Sequence, residues 1–234
     1  MDWTTLRDRS PDAATIESVR AALATRRASQ PTARESAGPE TQPSDSKSVD
    51  STEGDDAVND SATGAATSGT ASVSDPREPR PTRVVADADV LAVDALGFDP
   101  ATNALELLWT HSWTTLVASD PLVADTEAVL TRVADADFAT DWRVLIDRWR
   151  EPISQPAGDH PALASAYRGG AMHLLSFDDE LTGSAPGASL TSRFPVSVRQ
   201  PAAFAAVFDP AGLYETTEPG SYRGPDRDPR GSDR

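Results

Sequence analysis

The chain has no cysteine, one lysine and no long apolar run, and each of these absences narrows what the protein can be. Without cysteine it has no disulfides, no thiolate metal ligands, no iron–sulfur clusters and no cysteine nucleophile. No apolar stretch approaches the roughly 18 residues of a membrane-spanning helix, and the first residues lack the apolar segment of a secretory signal. We therefore expect a cytoplasmic protein with no membrane partner.

The charged residues are unusual in kind as well as in balance. The 234 residues include 37 acidic and 21 basic side chains, a net charge of −16, and Lys47 is the only lysine. In molar salt the Debye length falls to roughly 3 Å, so an acidic surplus costs little self-repulsion and keeps the surface hydrated. This composition is typical of a halophilic archaeon. Because the acidity then reflects the solvent, it does not exclude nucleic acid as a partner.

Composition also divides the chain into four segments. Residues 28–81 are mostly Ser, Thr, Ala, Gly, Pro, Asp and Glu, so they cannot bury enough apolar area to offset the entropy of ordering. We predict a disordered acidic linker there and a disordered tail at 215–234. Residues 82–214 have the size of an ordinary domain. Residues 1–27 are expected to contain a short helix.

The N-terminal helix is predicted from its start signal and its apolar periodicity. Ser10 suits the N-cap and Pro11 the first helical position, while Arg26 and Arg27 suit the C-terminal end. At about four turns it is too short to be stable alone in water. It therefore either docks on a partner or forms only in part. Its apolar face consists of Ile16, Val19, Ala22 and Leu23.

Short apolar runs alternate with helical patterns through 82–214. Strands that alternate with helices predict an α/β domain, and apolar strands without polar alternation indicate helices on both faces. We expect a three-layer α/β/α sandwich with a mostly parallel central sheet. The predicted strands are 83–86, 115–118, 172–177 and 194–198.

Four aspartates occur at corresponding points of this pattern. Asp87 and Asp178 follow predicted strands, Asp125 lies in the helix after the second strand, and Asp159 opens the helix before the third. Ligands of parallel sheets bind beyond the carboxyl ends of the strands. Converging carboxylates repel each other unless a hard cation neutralises them, and oxygen ligands select Mg²⁺ or Mn²⁺. Asp is abundant in this chain, however, so any single one of them is more often a solvated helix cap than a functional residue.

The order of these segments resembles the PIN-domain nucleases. The run 84–91 is similar to the family's first strand, with its pattern apolar–Asp–small–Asn/Asp–apolar. At 172–181 the sequence is similar to a strand that ends in Thr/Ser-x-Asp-x-Asp-Leu. Each motif alone is weak, and the order of five makes the resemblance specific. The other three are the second strand and helix at 116–130, the Ala-rich helix at 159–171, and the last strand with its Pro-led helix at 196–204.

The resemblance implies a metal-dependent endoribonuclease. One or two Mg²⁺ or Mn²⁺ ions would activate water and polarise the scissile phosphate. The matching catalytic and metal-binding residues are Asp87, Asp125, Asp159 and Asp178. The resemblance also implies two supporting residues of the site. They are Ser176, at a position where the family has Thr or Ser, and Asp89, at a position where the family frequently has Asn. Asp125 is one methylene shorter than the usual Glu.

The sequence says less about partners. RNA is the substrate that the resemblance implies, and Arg168 and Arg193 are the weak candidates for binding it at the acidic edge. No basic and aromatic platform for single strands is present. Homodimers are frequent in the family, and the N-terminal helix suits a protein partner. The long N-terminal extension argues against a compact toxin and for a housekeeping or regulatory nuclease.

Two other interpretations stay open at this point. One is a PIN-like scaffold without catalysis that binds protein or RNA, although the complete set of four aspartates favours activity. The other is an unrelated α/β domain whose acids are only a salt-adapted surface. The second predicts that the four aspartates lie apart in space.

Overall fold

A computed structural model describes residues 1–29, 75–155, 159–183 and 195–230. Most of the predicted linker, and Arg193, lie outside these described residues. Of the helices within them, none combines the length and the apolar character that crossing a bilayer requires.

The core of the fold is one five-stranded sheet. Its strands are β1 (Arg80–Ala86), β2 (Thr115–Ser119), β3 (Glu151–Ile153), β4 (Ala171–Leu175) and β5 (Ser197–Arg199). They are all parallel, in the order β3-β2-β1-β4-β5, so β1 and β4 are neighbours near the centre. The predicted α/β fold with a parallel sheet is confirmed. The short strand β3 was not predicted.

Helices flank the sheet. In the described residues they are α1 (Trp3–Arg7), α2 (Ile16–Ala28), α3 (Ala88–Ala95), α4 (Asp99–Trp109), α5 (Asp120–Val133), α6 (Ala136–Trp149), α7 (Pro161–Gly169), α8 (Asp179–Thr182), α9 (Pro201–Val207) and α10 (Pro210–Thr217). Proline occupies the first position of α7, α9 and α10, where its missing N–H costs nothing. The core between helices and sheet includes the fully buried side chains of Phe138 and Trp142.

The end of α7 shows why glycine is required next to β4. Gly170 adopts a left-handed conformation with φ of 64°, and a Cβ there would lie 2.4 Å from the carbonyl oxygen of Glu78. A Cβ on Gly169 would lie 2.3 Å from Cγ1 of Val117. The two glycines therefore allow α7 to pack closely on the sheet and turn directly into β4.

The N-terminal helix begins later than the sequence predicts. Thr15, and not Ser10, is the N-cap of α2: its hydroxyl accepts from the Ser18 N–H at 3.0 Å, and the Ser18 hydroxyl accepts from the Thr15 N–H at 3.0 Å. This reciprocal capping box satisfies two backbone donors, which a single Ser10 cap cannot do. A further helix, α1, precedes it, and Pro11 lies between the two.

The expected disorder of 215–234 does not hold for residues 215–230. The guanidinium of Arg230 is fully buried and donates to both carboxylate oxygens of Asp94 at 2.8 Å. It also lies over the rings of Trp3 and Trp149. The average composition of the tail predicts disorder because it does not reveal that one of its arginines forms a buried ion pair with an acid far away in the chain. Together with α1 and α2, these residues belong to one compact unit that extends beyond 82–214 on both sides.

Candidate functional site at the carboxyl edge of the sheet

Asp87 stands at the end of the central strand β1. Its N–H donates to the Leu175 carbonyl at 2.8 Å, which continues the pairing of β1 with β4 past the last strand residue. The side chain caps α3 by accepting from the Ala88 N–H at 2.7 Å, and it is completely buried. Both the sheet and the helix therefore fix this carboxylate in place.

Ser176 links Asp87 to Asp178. Its buried hydroxyl donates to Oδ2 of Asp87 at 3.1 Å and accepts from the Asp178 N–H at 3.0 Å. Asp178 is the N-cap of α8, where Oδ1 accepts from the Glu180 N–H. The predicted supporting residue thus orients two of the four predicted aspartates.

Asp89 is a second buried acid beside Asp87. Its carboxylate accepts from the N–H groups of Val90 at 2.7 Å and Phe177 at 3.0 Å, so it joins α3 to the segment after β4. Burial, and next the neighbouring charge of Asp87, raise the pKa of Asp89 to about 8. We call Asp87, Asp89, Asp125 and Asp178 the acidic cluster.

Arg27 of α2 binds two members of the acidic cluster at once. Its Nη2 lies 2.9 Å and 3.0 Å from the two carboxylate oxygens of Asp87, and its Nη1 lies 3.2 Å from Oδ2 of Asp178. Burial by itself lowers the pKa of Arg27, but the charges of Asp87, then Asp89, then Asp178 outweigh it, so the pKa ends above its ordinary value. The guanidinium is therefore a fixed positive charge between the two acids.

The neighbouring Arg26 holds a third predicted aspartate. Nε of Arg26 lies 2.9 Å from Oδ1 of Asp125, whose side chain is almost fully buried on α5. Asp125 thus faces the same helix as Asp87 and Asp178. Consecutive arginines at one helix end neutralise three of the four aspartates that the sequence analysis singled out.

Asp159 is placed differently. It is exposed just before α7, and it takes no part in the arginine contacts. Within the described ranges, no three acids or histidines stand close enough together to hold one metal ion. The arginine contacts of α2 therefore reach Asp87, Asp125 and Asp178, and Asp159 lies outside them.

A cleft of about 680 Å³ opens beside the acidic cluster. Arg27 and Leu23 of α2 line one side, and Asp89, Asp178 and His160 line the other. Burial lowers the pKa of His160, so its imidazole is neutral at pH 7. Among the described residues, its buried Nδ1 has no hydrogen-bond partner.

Arg168 does not lie where the sequence analysis expected it. Its carbonyl accepts from the Arg77 N–H at 3.0 Å, three residues before β1 begins, and its guanidinium lies over the ring of Tyr167. The amino ends of the strands meet at that edge, opposite Asp87. Arg168 is therefore not a candidate for binding substrate at the acidic cluster.

Arg26, Arg27 and His160 all lie at the site, yet the sequence pattern favours helix-end roles for each of them. Arginines at the carboxyl end of a helix are favoured by the helix dipole alone, so the local sequence does not indicate that these two bind acids elsewhere in the fold. The length and the charge of the whole helix are the signals that could have indicated this role. An amphipathic helix too short to be stable alone must dock, and its basic end favours an acidic surface.

Comparison with known proteins places the chain in a family. Residues 78–230 match DUF7384, a family of unknown function. The chain belongs to this family. The DUF7384 segment includes the whole acidic cluster and ends at the buried Arg230, but α1 and α2 lie outside it. No curated protein and no solved structure matches the chain.

The donor chemistry of the DUF7384 segment suits a hard divalent cation. Carboxylate oxygens of Asp87 and Asp178 lie around one point, next to the Ser176 hydroxyl, and oxygen donors are what Mg²⁺ and Mn²⁺ prefer. That point is taken by the guanidinium of Arg27. A positive charge is what the acids require, and α2 supplies one from the protein itself.

Proposed function

We propose that the protein is a metal-dependent endoribonuclease that hydrolyses RNA phosphodiester bonds at the acidic cluster, with Mg²⁺ or Mn²⁺ as cofactor. One observation carries the proposal. Buried Asp87 and half-buried Asp178 follow adjacent central strands, contact the same guanidinium, and are linked through the Ser176 hydroxyl, which donates to the Asp87 carboxylate and accepts from the Asp178 N–H. Their order in the chain is the one that resembles the PIN-domain nucleases.

Asp87 and Asp178 would hold the cation, and Asp125 would approach it from α5. The chemistry that such a cation supplies is activation of a water molecule and neutralisation of charge on the scissile phosphate. Ser176 ties the carboxylate of Asp87 to the backbone of Asp178, and Asp89 joins α3 to the segment after β4. The unpartnered Nδ1 of His160, in the cleft wall, is available for a hydrogen bond to the RNA.

Adjacent residues provide a matched test of this proposal. Asp178 belongs to the acidic cluster, whereas the next residue, Asp179, is an exposed acid whose one ion pair among the described residues is with the exposed Arg20. The full chain should cleave RNA in high KCl with Mn²⁺ or Mg²⁺. We expect Asp178→Asn to lose at least about a hundredfold in rate and Asp179→Asn to stay within about threefold of the parent.

Equal cleavage by both variants, or cleavage that persists in excess chelator, would contradict the proposal. Absence of cleavage by every form would favour the alternative, a PIN-like scaffold without catalysis that binds protein or RNA. The assay should include single-stranded RNA, structured RNA and DNA of the same sequence, because the RNA preference derives from the resemblance alone.

A further inference from the structure

We propose that α2 is an autoinhibitory plug whose Arg26 and Arg27 compete with a divalent cation for the acidic cluster. The inference rests on the proposed function in one respect: it takes Asp87 and Asp178 to be the cation site. It goes further in assigning a regulator, which is a segment of this same chain outside the DUF7384 match.

The arginines of α2 contact the acidic cluster at the oxygens where a cation would bind. Arg27 covers both oxygens of Asp87 and one oxygen of Asp178, and Arg26 covers one oxygen of Asp125. A metal ion bound by Asp87 and Asp178 needs the oxygens that Arg27 covers, since carboxylates bind it directly. The helix and the cation therefore cannot both make their full contacts.

Position adds a steric effect to this competition. Leu23 and Arg27 form one wall of the cleft that borders Asp178 and His160. An RNA strand that brings a phosphate to Asp87 has to pass this wall. Docked α2 thus restricts access to the acidic cluster as well as neutralising it.

Ion pairs make up much of the docking of α2. Its buried apolar face is small, consisting of Val19, Ala22 and Leu23. Two clefts of about 250 Å³ and 370 Å³ open along its boundary with α5, each lined by Ala22 and Arg132. Among the described residues, the buried Nε of Arg27 has no hydrogen-bond partner, which costs free energy in the docked state.

The segment before α2 is anchored separately. Trp3 and Leu6 of α1 are buried, the Trp3 ring meets that of Trp149 edge-on at 6.2 Å, and Arg7 pairs with buried Asp94 at 3.0 Å. The plug can therefore leave the acidic cluster while α1 stays in place. Removing residues 1–29 would also remove part of the core, so the test uses the full chain.

The experiment compares the double variant Arg26→Gln/Arg27→Gln with Arg20→Gln, a control on the same helix that loses only an exposed ion pair. Mn²⁺ affinity is measured by the paramagnetic resonance of free Mn²⁺. We expect the double variant to bind Mn²⁺ at least about tenfold more tightly than the parent and the control to match the parent. In RNA cleavage, the double variant should need less Mn²⁺ and reach the same maximal rate.

A second measurement on the parent protein avoids dependence on any variant. Amide hydrogen exchange should show that saturating Mn²⁺ lowers the protection of residues 16–28 and leaves α4 unchanged. Unchanged protection of α2 together with equal Mn²⁺ affinities would overturn the plug, as would absence of Mn²⁺ binding in every form. If the Mn²⁺ effects occur but no form cleaves RNA, the plug stands and the proposed function fails. If the parent and the double variant both cleave RNA and require equal Mn²⁺ concentrations, the proposed function stands and the plug fails.

Discussion

Arg27 and Asp87 are 60 positions apart in the chain, and Nη2 of the arginine lies within 3.0 Å of both carboxylate oxygens of the aspartate. The aspartate is completely buried, whereas the arginine side chain is 25% exposed. A buried carboxylate without a counter-charge is strongly disfavoured. While Asp87 is ionised, the site at the carboxyl edge of the sheet therefore needs a cation, and the identity of that cation distinguishes a closed site from an open one.

The four sequence-predicted aspartates should not contribute equally to RNA cleavage. Asp87 shares a cation with Asp178, whereas Asp159 is exposed and outside these contacts. We expect Asp87→Asn to lose at least about a hundredfold in rate and Asp159→Asn to lose less than about threefold. Single-turnover cleavage at saturating Mn²⁺ measures both, and equal losses would mean that Asp159 moves into the site when the cation binds.

Ser176 should affect cation affinity more than folding. Ser176→Ala removes the hydroxyl that joins Asp87 to Asp178, so Mn²⁺ affinity should fall about 10- to 100-fold. Ser176→Thr keeps the hydroxyl and should restore most of the affinity. The control is Ser165→Ala, a buried serine bonded to Ser119 at 3.1 Å, which should cost similar stability and leave Mn²⁺ affinity unchanged. A similar loss in both alanine variants would reduce Ser176 to a structural role.

The sequence predicts part of this site because a parallel sheet gathers the residues that follow its strands. Asp87 and Asp178 could be placed together from the positions of β1 and β4 alone. The pairing of Arg27 with them could not, because it joins segments separated by residues 30–74 and depends on where a short helix docks. Asp159 lies between β3 and α7, also beyond the carboxyl end of a strand, and the sequence pattern alone does not reveal that its side chain is exposed.

The same distinction applies to the fold. Apolar runs and proline-led helices predict the alternation of strands and helices, because the signals are local. The order of the C-terminal segment was not predictable from composition, since it depends on Arg230 meeting Asp94 136 positions away in the chain. Single buried ion pairs leave no periodicity in a sequence.

Arg230 should contribute strongly to the stability of the fold, although it lies in a polar C-terminal segment. Arg230→Met leaves the buried Asp94 with only its partner Arg7, and we expect a loss of about 3 kcal/mol in the free energy of unfolding. Urea unfolding in high KCl measures it. The control Arg227→Gln removes a more exposed arginine and should change stability by less than about 0.5 kcal/mol. Equal effects of the two variants would show that the Arg230 contacts contribute little.

Stability should decline in mild acid because of His173. Burial, and then the charge of Arg199, lower the pKa of His173 below 6.5. The folded protein therefore binds this proton less readily than the unfolded chain, and stability is lost as pH falls from 6.5 toward the folded pKa. The slope is at most about 1.4 kcal/mol per pH unit, and less for a ring that is only half-buried.

His173→Leu should flatten the dependence of the unfolding free energy on pH between 7 and 5. His160, whose pKa is also lowered by burial, contributes a remaining slope of the same sign. Urea unfolding at pH 5, 6 and 7 gives the comparison. Parallel curves for the parent and the variant would show that His173 titrates alike in the folded and unfolded states.

The most direct test of the account is a Mn²⁺ titration of the full chain, followed by the paramagnetic resonance of the free ion. The account predicts saturable binding to the parent, an affinity at least about tenfold weaker in Asp178→Asn, and an unchanged affinity in Asp179→Asn. Equal Mn²⁺ affinity in all three proteins, or no binding to any of them, would contradict the claim that Asp87 and Asp178 hold a divalent cation.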